Sequence, residues 1–199
     1  MSEGQRPMTP PPAMLHGKRI NLRPIRADDL DAFYAGQVDV RLRGAYFPLG
    51  LMSESRLRSE FAENGLWQRE EGYLLMVTPD GEIAGHIEFF KPVNYWDAFE
   101  LSYLLYDERF AGHGYTTEAV QLLVDYLFGA KKTHRIQLDI VPENAASRRI
   151  AEKCGFVLEG TMRGALFNGG RNQDIVIYSL LRTDPRPWHA ADSQPHVGA

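Results

Sequence analysis

The sequence has 199 residues, 44% of them hydrophobic and 24% charged, which is the length and composition of one ordinary globular domain. Its formal net charge of −4 speaks against a nucleic-acid-binding protein, which needs clustered cations, and suits a cationic acceptor such as an amine. A single cysteine, Cys154, rules out intrachain disulfides and cysteine metal clusters and fits a reducing cytoplasm. No metal site is expected, because His86 and His134 have no partners at ligand spacing.

Residues 1–14 are proline-rich and polar, without the apolar stretch of a signal peptide, and read as a disordered leader. No run of 18 apolar residues is present, so no membrane span is expected. The folded domain is expected over 15–182 and a flexible tail over 183–199. Arg19-Ile20-Asn21-Leu22-Arg23 alternates as a strand does, and Asp28-Asp29-Leu30 opens a helix with acids at its positive end. A second helix is predicted from Ser53 to Arg69. Tyr73–Val77 and Ile83–Phe90 form a hairpin about Pro79-Asp80-Gly81-Glu82. The strand Phe99–Tyr106 then leads through Asp107–Gly114 into a helix over Thr116–Phe128. The strand Arg135–Ile140 follows, then a helix over Ala145–Lys153 closed by Gly155. Cys154 lies at the end of this helix and reads as a small buried apolar group rather than a nucleophile. The strands Phe156–Arg163 and Asp174–Leu181 flank a turn at Asn168-Gly169-Gly170. Hairpins first and strand–helix–strand units later predict a mixed α/β fold, with helices on both faces of a mixed sheet.

The most informative segment is Arg109-Phe110-Ala111-Gly112-His113-Gly114, between a buried strand and a helix start. Glycines let main-chain amides approach an anion, and the helix dipole favours phosphate there. A Walker A loop would need Lys and Ser or Thr after the last glycine, where Tyr115-Thr116 stands. A dinucleotide fingerprint would need a third glycine at Thr117 and an early position in the chain. The remaining pattern, Arg109-x-x-Gly112-x-Gly114, resembles the pyrophosphate loop of the GNAT superfamily of N-acetyltransferases. About 30 residues on, Asn144-Ala145-Ala146-Ser147 and Glu152-Lys153-Cys154-Gly155-Phe156 resemble the segment flanking the pantetheine arm in that superfamily. Glu100-Leu101-Ser102-Tyr103 and Asn168-Gly169-Gly170-Arg171-Asn172-Gln173-Asp174 are similar to its ribosomal-protein and spermidine acetyltransferase branch.

The resemblance implies a mostly antiparallel, twisted sheet splayed at a coenzyme site, and transfer of acetyl from acetyl-CoA by direct attack in a ternary complex. Main-chain groups of Leu104, Leu105 and Tyr106 are expected to hold pantetheine. The amides of Arg109, Phe110, Ala111, Gly112, His113 and Gly114, with Thr116, are expected to hold the phosphates. Glu100 is the expected base and Glu88 the second candidate. Asn144 and Ser147 are expected at the pantetheine and the sulfur, Ser147 as the acid. Against that role, Asn144 has the position of a plain helix cap. Many superfamily members carry a tyrosine acid where Ala151 stands here, which leaves a coenzyme sensor without turnover as the alternative reading. Tyr95, Trp96 and the loop Gly44-Ala45-Tyr46-Phe47-Pro48 are candidate acceptor walls, while Phe89, Phe90 and Phe99 read as core. The acceptor is a small-molecule amine, a polyamine or a protein N-terminus. The sheet edge at the C-terminal hairpin is compatible with a homodimer.

Overall fold

A computed structural model describes residues 14–191. The strands are β1 (Leu15–His16), β2 (Asn21–Pro24), β3 (Glu71–Val77), β4 (Ile83–Phe90), β5 (Ala98–Leu105), β6 (Arg135–Ile140), β7 (Val157–Asn168) and β8 (Arg171–Leu181). They form one sheet in the order β1-β2-β3-β4-β5-β6-β8-β7. The helices are α1 (Leu30–Val38), α2 (Val40–Arg43), α3 (Glu54–Asn64), α4 (Tyr115–Ala130), α5 (Ala145–Lys153) and α6 (Pro187–Ala191). Among the described residues no helix is long and apolar enough to cross a membrane.

All strand pairs are antiparallel except β5 with β6, joined by the crossover helix α4. That pairing is short. Ala98, Phe99 and Glu100 face Arg135, Ile136 and Gln137, and it stops there. Beyond this point β5 stays with β4 through Leu105, and β6 stays with β8 through Ile140. The sheet therefore opens between Leu101 and Leu138, and this opening positions the site.

Alternation along the strands sorts the residues onto two faces. Ile87, Phe89, Phe99, Leu101, Ile136 and Leu138 point to one side, where Leu123, Val124 and Leu127 of α4 and Ala151 of α5 complete the larger core. On the other side Leu75 packs with Phe33 of α1 and Leu57 of α3. The helices thus lie on both faces, as the sequence predicts.

Three boundaries differ from expectation. Helix α3 ends at Asn64 rather than Arg69, because the chain turns left-handed at Gly65 and Leu66, with Asn64 Oδ1 accepting the Leu66 amide at 2.8 Å. The terminal hairpin is longer than predicted, turning tightly at Gly169 and Gly170 with φ of 59° and 79°. Two positive φ values are what a tight hairpin turn needs, and only glycine takes both freely. The stretch expected as a tail from 183 includes α6: Arg186 pairs with Asp125 at 2.6 Å, and Trp188 donates its indole N–H to the same carboxylate at 2.7 Å. The remainder of that tail, and the leader up to residue 13, lie outside the described residues.

Candidate active site

The opening between β5 and β6 continues into a cleft of 1160 Å³. Its floor carries Glu88, Glu100, Ser102 and Asp139; Tyr103, Asn144, Ser147 and Ile150 line one wall, and Tyr46, Phe47, Met162 and Leu166 another.

The loop from Asp107 forms the rim. Its first part is internally satisfied: Asp107 Oδ1 accepts the Arg109 amide at 2.9 Å, and the Phe110 and Ala111 amides bond back to Asp107 and Glu108. Phe110 is buried in the larger core, with the Arg109 guanidinium 4.4 Å above its ring. Arg109 pairs with Glu82 at 3.1 Å and Asp107 at 3.6 Å, so its charge is already matched. The second part is open. Gly112 and Gly114 adopt φ of 79° and 80°, and a Cβ on Gly112 would meet nothing within 4 Å. A β-carbon would be strained at both angles, so glycine is what lets this bend form. Among the described residues the amides of Gly112, His113, Gly114, Tyr115, Thr116 and Thr117 have no hydrogen-bond partner, and three of them begin α4. This is a concave row of donors at a positive helix end, the ordinary composition of an anion site.

The cation beside that row is one the sequence motif does not contain. Glu118, in the first turn of α4, accepts the amides of Lys18, Arg19 and Ile20 at 2.9, 2.7 and 2.9 Å. This pins the start of the domain against the loop, and Arg19 Nη1 donates to the His113 carbonyl at 3.3 Å. The His113 ring stacks on Tyr115 at 5.4 Å, so its backbone rather than its imidazole faces the bend.

Along β5, the Tyr106 amide is committed to Ala84 O at 3.0 Å. Leu104 turns the same way by alternation, and Leu105 turns its main chain into the opening. Asn144 is the N-cap of α5, its Oδ1 accepting the Ser147 amide at 3.1 Å. Ser147 is half-buried and faces Tyr103, whose hydroxyl is sealed from solvent without a hydrogen bond of good geometry. Burial pushes the Tyr103 phenol up to about 12, and the Ser147 hydroxyl partly offsets the rise. Cys154 is fully buried, its thiol also pushed up to about 12 by burial, and is a packing residue.

On the opposite face of the sheet Glu88 and Glu100 are diagonal neighbours, because Glu88 pairs with Ser102 and Phe90 with Glu100. Burial, then the nearby Asp139 charge, raises Glu100 to about 8, against a hydrogen bond from Gln137. Burial also raises Glu88 and Asp139. The buried guanidinium of Arg43 stands near Glu88, held by the carbonyls of Gln37 and Pro48. The Gly44–Pro48 loop is a cleft wall and is tied to the far hairpin by Asn168 Nδ2, which donates to Ala45 O and Phe47 O at 3.3 Å. Tyr95 and Trp96 are not walls: they are 86% and 45% exposed, outside the cleft, since the connection they occupy turns away from the sheet. A second recess of 810 Å³ lined by Glu70, Glu71, Tyr73 and Lys91 shares Glu88 and Phe90 with the cleft. His86 is fully buried and neutral, held well below its usual range by burial, and sits between Gln37 and Tyr106 as a core group.

The acetyltransferase (GNAT) domain model matches residues 19–157. The chain belongs to the GNAT acetyltransferase family. This GNAT protein is 28% identical over 180 residues to a probable N-acetyltransferase of Bacillus subtilis (strain 168), covering 86% of this chain and 98% of the relative. It is 28% identical over 138 residues to the ribosomal-protein-serine acetyltransferase of Escherichia coli (strain K12), covering 68% and 75%. Its fold is that of the spermidine N-acetyltransferase of Vibrio cholerae solved with CoA and spermine, with a TM-score of 0.73 at 20% identity over 83% of this chain and 97% of that one. It is an N-acetyltransferase, and its relatives include ribosomal-protein and spermidine acetyltransferases. The sensor reading prompted by Ala151 gains nothing from these relatives, which are named as enzymes.

Sequence reasoning missed Arg19, Tyr103, Gln137 and Asp139. The local pattern around each is that of an ordinary strand, and only the tertiary fold brings Tyr103 and Asp139 to the cleft, Gln137 against Glu100 and Arg19 against the loop.

Proposed function

We propose that this GNAT protein transfers acetyl from acetyl-CoA to a cationic primary amine, with Glu100 as the base. The observation that carries the reading is the arrangement of the opening. Free amides at Gly112–Thr117 stand at its rim, and a partly desolvated carboxylate, Glu100, stands at the point where the strands part. The residues fit the coenzyme: the amide row and Arg19 suit the pyrophosphate, and the Leu105 main chain and Asn144 suit the pantetheine. When bound, acetyl-CoA supplies the activated acetyl group.

The chain's own residues then handle two protons. Amine capture favours the acidic floor formed by Glu88, Glu100 and Asp139. The first ammonium proton passes to Glu100, whose affinity near neutral pH matches that task, and from there to water. The nitrogen lone pair attacks the thioester carbon, and the carbon–sulfur bond breaks. The second nitrogen proton ends on the coenzyme sulfur through the Ser147 hydroxyl. Tyr103, whose phenol burial raises to about 12, stays protonated beside Ser147 at neutral pH. No covalent enzyme intermediate is needed, since positioning alone brings amine and thioester together.

A relative named for ribosomal-protein serine and a fold neighbour solved with spermine both support an amine acceptor, a protein N-terminus or a polyamine. Calorimetry with acetyl-CoA, followed by thiol release over a panel of peptides with free N-termini and polyamines, tests the reading. Micromolar binding with steady thiol release from at least one amine is expected. Binding without release from any amine overturns it.

A further inference from the structure

Gln137 is 4% exposed and lies on β6 where β5 leaves it. Its Nε2 donates to Glu100 Oε2 at 3.3 Å and to Asp139 Oδ1 at 3.1 Å. Its Oε1 accepts from Arg135 Nε at 3.3 Å. The two ends of a carboxamide have nearly the same shape, but an arginine only donates, so Arg135 can face only the oxygen. Both amide hydrogens are thereby turned to the carboxylates. Arg135 is itself held by a two-pronged pair to Glu159 at 2.7 and 2.6 Å, and Glu159 also accepts from Ser179 Oγ at 2.6 Å. A continuous chain of contacts therefore runs from the exposed Glu159 to the cleft floor, and every link has a fixed direction.

We propose that Gln137 is a positioning residue: locked by Arg135, its amide holds Glu100 and Asp139 as a pair, and that pair is the seat of the acceptor's ammonium group. The inference rests on the acetyltransferase reading above and adds to it the residues that aim the base and receive the cation. Two carboxylates on adjacent strands repel, and a single amide with one hydrogen for each offsets the repulsion without neutralising either. An ammonium group has three hydrogens, so it can meet both carboxylates and release one proton to Glu100. The charged and titratable groups around Glu100 are Asp139 and Arg135 from β6, Glu88 from β4 with Tyr73 behind it on β3, Arg43 from α2 and Glu159 from β7. Of these, Asp139 is the negative neighbour with the largest effect on Glu100, and Gln137 is the donor that opposes it.

The two contributions have opposite signs, and this makes the test selective. The carboxyl resonance of Glu100 is followed by carbon-13 NMR in the full chain, assigned by its disappearance in Glu100→Gln. Gln137→Leu removes the donor and is expected to raise the titration midpoint by about one unit, a tenfold gain in proton affinity. Asp139→Asn removes the negative neighbour and is expected to lower it by a similar amount. Arg135→Met leaves the carboxamide in place without its lock, gives a smaller rise, and serves if Gln137→Leu does not fold. Midpoints that stay at the wild-type value, or that move in the same direction in Gln137→Leu and Asp139→Asn, overturn the positioning role. For the seat, Asp139→Asn is expected to raise KM for a cationic amine about tenfold; an unchanged KM overturns it. Failure of the acetyltransferase reading is distinguishable, because wild-type protein would then bind no coenzyme or release no thiol whatever the titrations show.

Discussion

The two ends of the cleft are made of different material. At the rim, the candidate coenzyme site consists of main-chain amides from Gly112 to Thr117, with side chains that point away or are already paired. On the floor, the acceptor side consists of carboxylates, an amide and a guanidinium from separate strands and a helix. A backbone site depends on local conformation, so few sequence changes destroy it, but those few destroy it completely. A side-chain site depends on which faces of which strands meet, so each residue can be removed singly and graded effects follow.

The largest expected effect separates the two ends. Gly112→Asp with Gly114→Asp forces two β-carbons into left-handed backbone and sets two negative charges where a diphosphate would bind. Coenzyme affinity measured by calorimetry is expected to fall at least about 1000-fold, roughly 4 kcal/mol. A loss under tenfold would mean that the amide row does not hold the phosphates.

Next in size is Glu100→Gln, which keeps shape and removes the base. With any amine that the protein acetylates, kcat is expected to fall about 100-fold or more while coenzyme affinity stays within about threefold. Equal losses in both would make the floor and the rim one unit and dissolve the comparison. Smaller again is Asn144→Ala, which belongs to both worlds as a cap and a candidate contact. Loss of the cap is expected to cost about 1 kcal/mol of stability, read as a fall in Tm. Coenzyme affinity is expected to fall about tenfold as well; stability loss alone would leave Asn144 a cap and nothing more.

The same division explains what was legible in the sequence. The rim was visible because Gly112 and Gly114 have to be glycine and sit at a fixed distance from the Asn144–Ser147 segment. The fold followed from alternation in β3, β4 and β6 and from the turn at Gly169-Gly170. The floor was visible only in Glu100 and Glu88, since nothing in Arg135-Ile136-Gln137-Leu138-Asp139 announces that its polar face meets that of β5. Arg19 reaches the loop from 94 residues away through Glu118, a contact that no local pattern encodes. Helix α2 is one turn long and β1 has two residues, below the length at which a period can be read. In the opposite direction, Trp96 and Tyr95 were singled out for their chemistry, and the fold leaves them outside.

The smallest expected effect concerns what the floor costs the fold. Glu100 ionises near pH 8 in the folded chain and near its ordinary value when unfolded, so between these the unfolded chain binds fewer protons. Stability therefore falls as pH rises from about 4.5 to about 8, the opposite of Asp29, whose bidentate pair with Arg23 at 2.5 and 2.7 Å lowers its affinity for a proton and stabilises at neutral pH. Glu100→Gln removes the first contribution and leaves the second. Its Tm is expected to match wild type at pH 5 and to exceed it by roughly 3–6 °C at pH 8, or about 1–2 kcal/mol. The gain with pH is the informative part, because a side chain that merely packed better as an amide would show the same gain at both pH values. A flat difference would mean that Glu100 is charged and solvated at neutral pH, and that the floor holds its carboxylates at no cost to the fold.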